Sequence, residues 1–208
     1  MKFYMTPGSC STGIHILLEE LELVFEVYIV DLMQGAQNKP EYLAINPKAS
    51  IPTLVRTDGT SLTDFQAIAW WLARQYPKAG LLPDNVDDEI KVIDMMNYVI
   101  ATIHMQGFAR IFTTDKFTPK EEDYEWVQQQ GREIIDKGFA VVNDQLTDKG
   151  YVLDGFSIAD AALFYVEFWA VKTNIELPPA CQRHYDLMLN RVSVRQVLYE
   201  EGYAADLA

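Results

Sequence analysis

The chain has 208 residues, 49% hydrophobic and 23% charged, a globular composition that excludes a disordered reading and suits one large domain or two small ones. A net charge of −13 argues against nucleic acid or anionic lipid as a partner, since either would need a basic footprint. The two cysteines, Cys10 and Cys181, form neither CxxC spacing nor a Cys/His cluster, so we expect no disulfide framework, no metal site and a reducing, cytoplasmic setting.

The first residues lack the apolar core of a signal peptide, and no apolar run is long enough to span a bilayer. Residues 2–5 read as a short strand stopped by Pro7-Gly8. A helix follows from about Ser11, with Ile14, Leu17, Leu18 and Leu21 on one face. Phe25–Val30 is β-branched and aromatic, a second strand. Residues 31–45 are polar and carry Gly35 and Pro40, which predicts a loop with a short helix. Thr53–Arg56 and Thr60–Thr63 form a hairpin in which Asp58-Gly59 predicts a type I′ turn. Pro52 has no N–H for a ladder, so it marks a strand entrance, and a cis bond after Ile51 fits there. That bend leaves the Ile51 N–H and C=O unpaired, an edge suited to a peptide-like ligand. A helix then spans residues 64–76.

The order β-α-β-α-β-β-α is a thioredoxin-like layout, an α/β domain over residues 1–78. Residues 77–86 hold Pro77, Gly80 and Pro83 and read as a linker. The remainder, residues 87–208, reads as an all-α domain with helices near 87–113, 120–147, 157–173 and 179–201, the last in two pieces. Ser157 followed by Asp160 has the spacing of a capping box, which accounts for Asp160 better than a catalytic role.

Several stretches carry a family resemblance in order along nearly the whole chain: Y-L-A-I-N-P-K at 42–48 running into S-I-P-T-L, L-T-D-F-Q-A-I-A-W-W-L at 62–72, and D-G-F-S-I-A-D at 154–160. Together they resemble the cytosolic glutathione transferases. P-G-S-C-S at 7–11, with His15 after it, looks most like the bacterial beta-type branch. The resemblance implies an enzyme that conjugates the glutathione thiolate to small hydrophobic electrophiles, with glutathione as co-substrate, acting as a homodimer in detoxification. Two other readings stay open: glutathione-dependent thiol–disulfide reduction through Cys10, and non-catalytic binding of glutathione or another ligand.

Ser9, Cys10 and Ser11 stand where the first helix begins, within reach of a bound sulfur, although a helix cap explains either serine and a small buried residue explains Cys10. A helix N-terminus there would favour a Cys10 thiolate. Tyr4 ranks below them, because strand side chains alternate and Met5 takes the relevant face. For glutathione binding, the resemblance points to Ile51 and Pro52 for the peptide backbone and to Asp64 and Phe65 for the γ-glutamyl end. Phe65 stands where the family has a hydroxyl, and Asp64 is equally explained as an N-cap. Gln37 and Lys39 are candidates for the glycyl end, and Asn97 and His104 for the facing helix. Register counts for that helix disagree: from Asn97 they select His104, and back from Phe112 they select Met105. Tyr98, Met105, Phe108, Phe112, Tyr165 and Trp169 are candidates for the electrophile pocket, with helix core as the competing explanation.

Overall fold

The structure, a computed structural model, describes residues 1–146 and 150–207. It forms two compact units: Met1–Leu82 together with Met188–Ala208, and Pro83–Leu187. The boundary falls in the expected linker. The last stretch, expected within the helical domain, instead belongs to the first unit, where α9 (Val192–Glu200) packs against α1 (Ser11–Glu20).

The first unit is built on a mixed four-stranded sheet of order β2-β1-β3-β4. β1 (Lys2–Met5) runs parallel to β2 (Glu26–Ile29) and antiparallel to β3 (Thr53–Val55), which pairs with β4 (Ser61–Thr63). Period-two alternation buries Phe3 and Met5 and sends Tyr4 to the other face, where it stacks on Tyr28. On the buried side Phe3 meets His15 of α1, and Ile14, Leu17 and Leu18 of that helix complete the core with Ile68 and Leu72 of α3 (Phe65–Gln75). The 31–45 segment holds a 3-10 turn at Ala36–Asn38 and the short α2 (Pro40–Leu43).

The hairpin turn differs from the expected type I′. Only Gly59 has positive φ (84°), the Gly59 N–H bonds to the Arg56 carbonyl, and the Arg56 N–H bonds to the Thr60 carbonyl. This is a three-residue loop with glycine at the left-handed position, in which Asp58 instead accepts from the Thr60 N–H.

In the second unit α4 (Val86–Tyr98) is N-capped by Asn85, whose Oδ1 accepts from the Asp88 N–H at 2.8 Å, and its first turn holds Asp87, Asp88 and Glu89 against the positive helix end. From Val99 to Phe108 the backbone is π-helical before resuming as α5 (Ala109–Phe112). A π ladder bonds i to i+5, so counting at 3.6 residues per turn across it loses register. That is why the counts from Asn97 and from Phe112 selected different residues. The π stretch lies hard against α6 (Tyr124–Gln145): a Cβ at Gly138 would sit 2.6 Å from Ile103 Cγ1, and one at Gly131 would sit 2.8 Å from the Gly107 carbonyl. Gly138→Ala should therefore lower stability by about 1–3 kcal/mol, read as a fall in the urea midpoint. The expected helix 120–147 is α6, with residue 147 outside the described residues.

α7 (Ile158–Lys172) is buried on all sides from Ile158 to Ala170, as the central helix of its unit must be. Its capping box is present: Asp160 Oδ2 accepts from the Ser157 N–H (2.8 Å) and hydroxyl (2.6 Å). Asp160 Oδ1 accepts from the Val152 N–H, and it faces His184 of α8 (Pro179–Leu189), whose other ring nitrogen meets Glu167 at 2.7 Å. All three charged side chains are fully buried. Burial works against a charge on His184, but the Glu167 and Asp160 carboxylates outweigh it and raise its pKa from 6.5 to about 10. Burial also raises Glu167 to about 7, so the pair is charged on both sides between about 7 and 10, and the His184 contribution is lost as pH climbs through about 10. The wild-type urea midpoint should fall across that window, and His184→Gln should flatten the fall.

Candidate active site

The β1–α1 turn is tied by Ser11. Its hydroxyl donates to the Thr6 carbonyl (3.0 Å), accepts from the Thr6 N–H (3.1 Å) and touches Ser9 Oγ, and the residue is fully buried. Ser9 Oγ accepts from the Ser11 N–H. Gly8 holds φ 69° within this turn, and a Cβ there would lie 2.1 Å from the Tyr203 hydroxyl, so glycine is required.

Cys10 occupies the N-cap of α1 and keeps partial exposure. Its thiol faces the Ile51 carbonyl at 3.7 Å. Burial of the sulfur pushes the thiol up to about 12, against the opposing pull of the Cys10 and Ser11 N–H groups. Burial thus favours the neutral S–H form of Cys10 over the thiolate that the helix N-terminus would favour.

The Ile51-Pro52 bond is cis, as the sequence suggested, with Pro52 buried and Ile51 half-buried. The loop before it is braced from beneath. Tyr42 Oη (2.6 Å) and Asn46 Nδ2 (2.8 Å) both donate to the Ser50 carbonyl, and both groups also bond Thr53 Oγ1. Among the described residues no acceptor takes the Ile51 N–H. The Ile51 carbonyl, expected to be unpaired, receives the Cys10 thiol.

Asp64 precedes α3 with φ 69° and ψ 138°, a conformation that costs a non-glycine residue about 1–3 kcal/mol and is typical of ligand-binding positions. Its carboxylate does not cap the helix; it pairs with Lys48 across half-exposed surface. Among the described residues, Gln37 Oε1 is buried and makes no hydrogen bond.

Two family descriptions match: "Glutathione S-transferase, N-terminal domain" at residues 8–75 and "Glutathione S-transferase, C-terminal domain" at residues 124–187. The chain is similar to glutathione S-transferase GstA of Escherichia coli O157:H7, 36% identical over 97% of this chain and 99% of that one. This chain belongs to the glutathione S-transferase family. Among solved structures, a glutathione transferase homologue from Sulfitobacter with bound glutathione superposes with a TM-score of 0.88 at 30% identity, covering 96% of this chain and 97% of that one. A bacterial beta class glutathione S-transferase from Sphingomonas chungbukensis gives 0.82 at 26% identity over 98% and 100%. Both the thioredoxin-like sheet unit and the helical unit fit this transferase architecture.

The structure rearranges several expected site residues of this transferase. Ser11 is committed to the turn and has no hydroxyl to offer a sulfur. Phe65 is 4% exposed and packs in the core of its unit. Lys39 is exposed, and Asn97 projects from an exposed position on α4. Within the helical unit Phe108, Tyr165 and Trp169 are buried, so they form core rather than an open lining. Tyr98 is half-buried, while Met105 and Phe112 are about half exposed. His104 stands between these groups: Nδ1 meets the Tyr165 hydroxyl at 3.2 Å, the ring packs edge-on to Trp169, and burial lowers its pKa to about 4. Sequence reasoning missed Lys48 and the Tyr42–Asn46 brace. Asn46 and Lys48 were within a quoted motif, and the signal available was the polar Asn before a proline, a residue with donors to spare.

Proposed function

We infer that this transferase activates the thiol of glutathione and adds it to small hydrophobic electrophiles, with the tripeptide lying along the Ile51 edge and its sulfur at Cys10. The observation that carries this reading is the Cys10 thiol 3.7 Å from the Ile51 carbonyl, which joins a sulfur-reaching group to a main-chain edge. A peptide there would donate to the Ile51 carbonyl in place of Cys10 and accept from the Ile51 N–H, turning the thiol toward the ligand's sulfur. The strained Asp64 would take the γ-glutamyl ammonium, and the Gln37 side-chain NH2 would donate to the glycyl carboxylate.

A glutathione thiol near the ordinary cysteine value of ~8.5 is only a few per cent ionised at neutral pH, and lowering it by about two units needs ~2.7 kcal/mol. One hydrogen bond from neutral Cys10 to the thiolate, worth ~1.5–3 kcal/mol, together with the α1 N-terminus, is of that size. A thiol held up at about 12 suits donation and works against the exchange chemistry that would require a Cys10 thiolate. For the electrophile we assign the apolar surface that Met105, Phe112 and Tyr98 leave accessible on the helical unit. Detoxification in the cytoplasm by a homodimer completes the reading. Among the described residues no helix is long and apolar enough to cross a membrane.

Calorimetry with glutathione and turnover of chloro-dinitrobenzene test the proposal. Asp64→Ala should raise KM for glutathione about tenfold with kcat nearly unchanged, the signature of lost ground-state binding. An unchanged KM would remove Asp64 from the site, and no heat from glutathione with the wild type would remove the site itself.

A further inference from the structure

Outside the glutathione edge, the first unit holds a cluster that the transferase chemistry does not use. His15 on α1 is 2% exposed, and its Nδ1 lies 2.9 Å from Glu201 Oε1. Glu201 already accepts from the Gly8 N–H and the Thr12 hydroxyl, both at 2.7 Å, so its carboxylate is an acceptor throughout. In the neutral ring with Nδ1 donating to Glu201, Nε2 presents a lone pair. That buried Nε2 makes no hydrogen bond, although Glu200 Oε2 lies only 3.3 Å away. In that ring state a cation between His15 Nε2 and Glu200 Oε2 would engage both. Glu19, one helical turn after His15 on the same face, brings a second carboxylate, and one ligand atom from each of the three residues lies within 4.8 Å of the others. Burial, and then the Glu200 charge, push the Glu19 carboxyl up, against an opposing pull from His15.

We propose that His15, Glu19 and Glu200 bind one divalent first-row cation of the zinc class, clamping α1 to α9. Imidazole nitrogen with two carboxylate oxygens is a donor set that zinc accepts, with bonds of ~2.0–2.2 Å and a fourth position left for water. Two such ligands at a tetrahedral angle stand roughly 3.3 Å apart, matching the His15–Glu200 spacing. Two carboxylates neutralise the ion, and Glu201 supplies the outer hydrogen bond that orients a metal-bound histidine. His15 and Glu19 lie one and two turns beyond the start of α1, so the ion holds the helix pair together and takes no part in thiol chemistry. Cys/His spacing along the sequence carries no sign of these ligands, because Glu200 lies about 180 residues after His15 and Glu19.

The test is calorimetry of the full-length protein, stripped of metal with a chelator, against zinc chloride, with thermal melts in parallel. One ion per chain and a raised Tm are expected, Glu19→Gln and Glu200→Gln should each weaken binding at least about tenfold, and cobalt should give visible d–d bands that both variants lose. Cys10→Ser should leave zinc binding intact. No heat and no Tm shift with zinc or cobalt, affinity unchanged in both glutamine variants, or binding abolished by Cys10→Ser would each overturn the site. Glutathione calorimetry on the glutamine variants confirms that they remain folded.

Discussion

Cys10→Ala should lower kcat/KM for chloro-dinitrobenzene about 10- to 100-fold and raise the pKa of enzyme-bound glutathione by about one to two units, since it deletes one charge-assisted hydrogen bond. The thiolate's ultraviolet absorbance, followed in a pH titration of the bound tripeptide, reads that pKa directly. Cys10→Ser keeps a donor of similar reach and should retain most of the activity. Ser11→Ala serves as the contrast. Its hydroxyl ties both backbone groups of Thr6, so the loss should show in stability, by about 1–3 kcal/mol, with the pKa of bound glutathione unmoved. A normal thiolate pKa in Cys10→Ala, together with a shifted one in Ser11→Ala, would reverse the assignment.

Asp160→Ala should destabilise the protein by about 3–5 kcal/mol, a large share of the roughly 5–15 kcal/mol available to a domain. The substitution deprives the Ser157 and Val152 N–H groups of their acceptor and uncaps α7, while His184 keeps a buried charge with only Glu167 to balance it. Urea denaturation of purified protein measures the loss, and a poor soluble yield would accompany it. A cost under about 1 kcal/mol would mean that water or another acceptor replaces the carboxylate, and the buried cluster would then lose its structural standing.

Local signals were legible where physics acts locally. Alternation separated Tyr4 from Met5, although Met5, expected on the site face, lies in the core; Pro52 opened β3, and Ser157 with Asp160 started α7. The hairpin's existence was readable from Asp58-Gly59, but its geometry was not, because a single left-handed glycine serves a three-residue loop as well as a two-residue one. The Ser9-Cys10-Ser11 triplet located the end of the first helix without separating its members. That choice depends on the Thr6 main chain, which claims Ser11 and leaves Cys10 pointing at Ile51. Phe65 looked like a site substitution and is a core residue of its unit, 4% exposed. The π-helical ladder from Val99 had no breaker to announce it, and the close glycine contacts beside it are with another helix. The domain border missed the return of residues 188 onward for the same reason: the partners of Glu201 lie about 190 residues earlier.

Glu201 receives the Gly8 N–H across 193 positions of chain and secures Thr12 and His15 beside it. The opening segment of the polypeptide thus stays incomplete on the ribosome until the closing segment has emerged, and the sheet unit matures only after the helical unit has been synthesised through its middle. Shortening the chain ahead of position 201 would strip support from the turn that carries Cys10, so damage at one terminus would be felt as lost chemistry at the other.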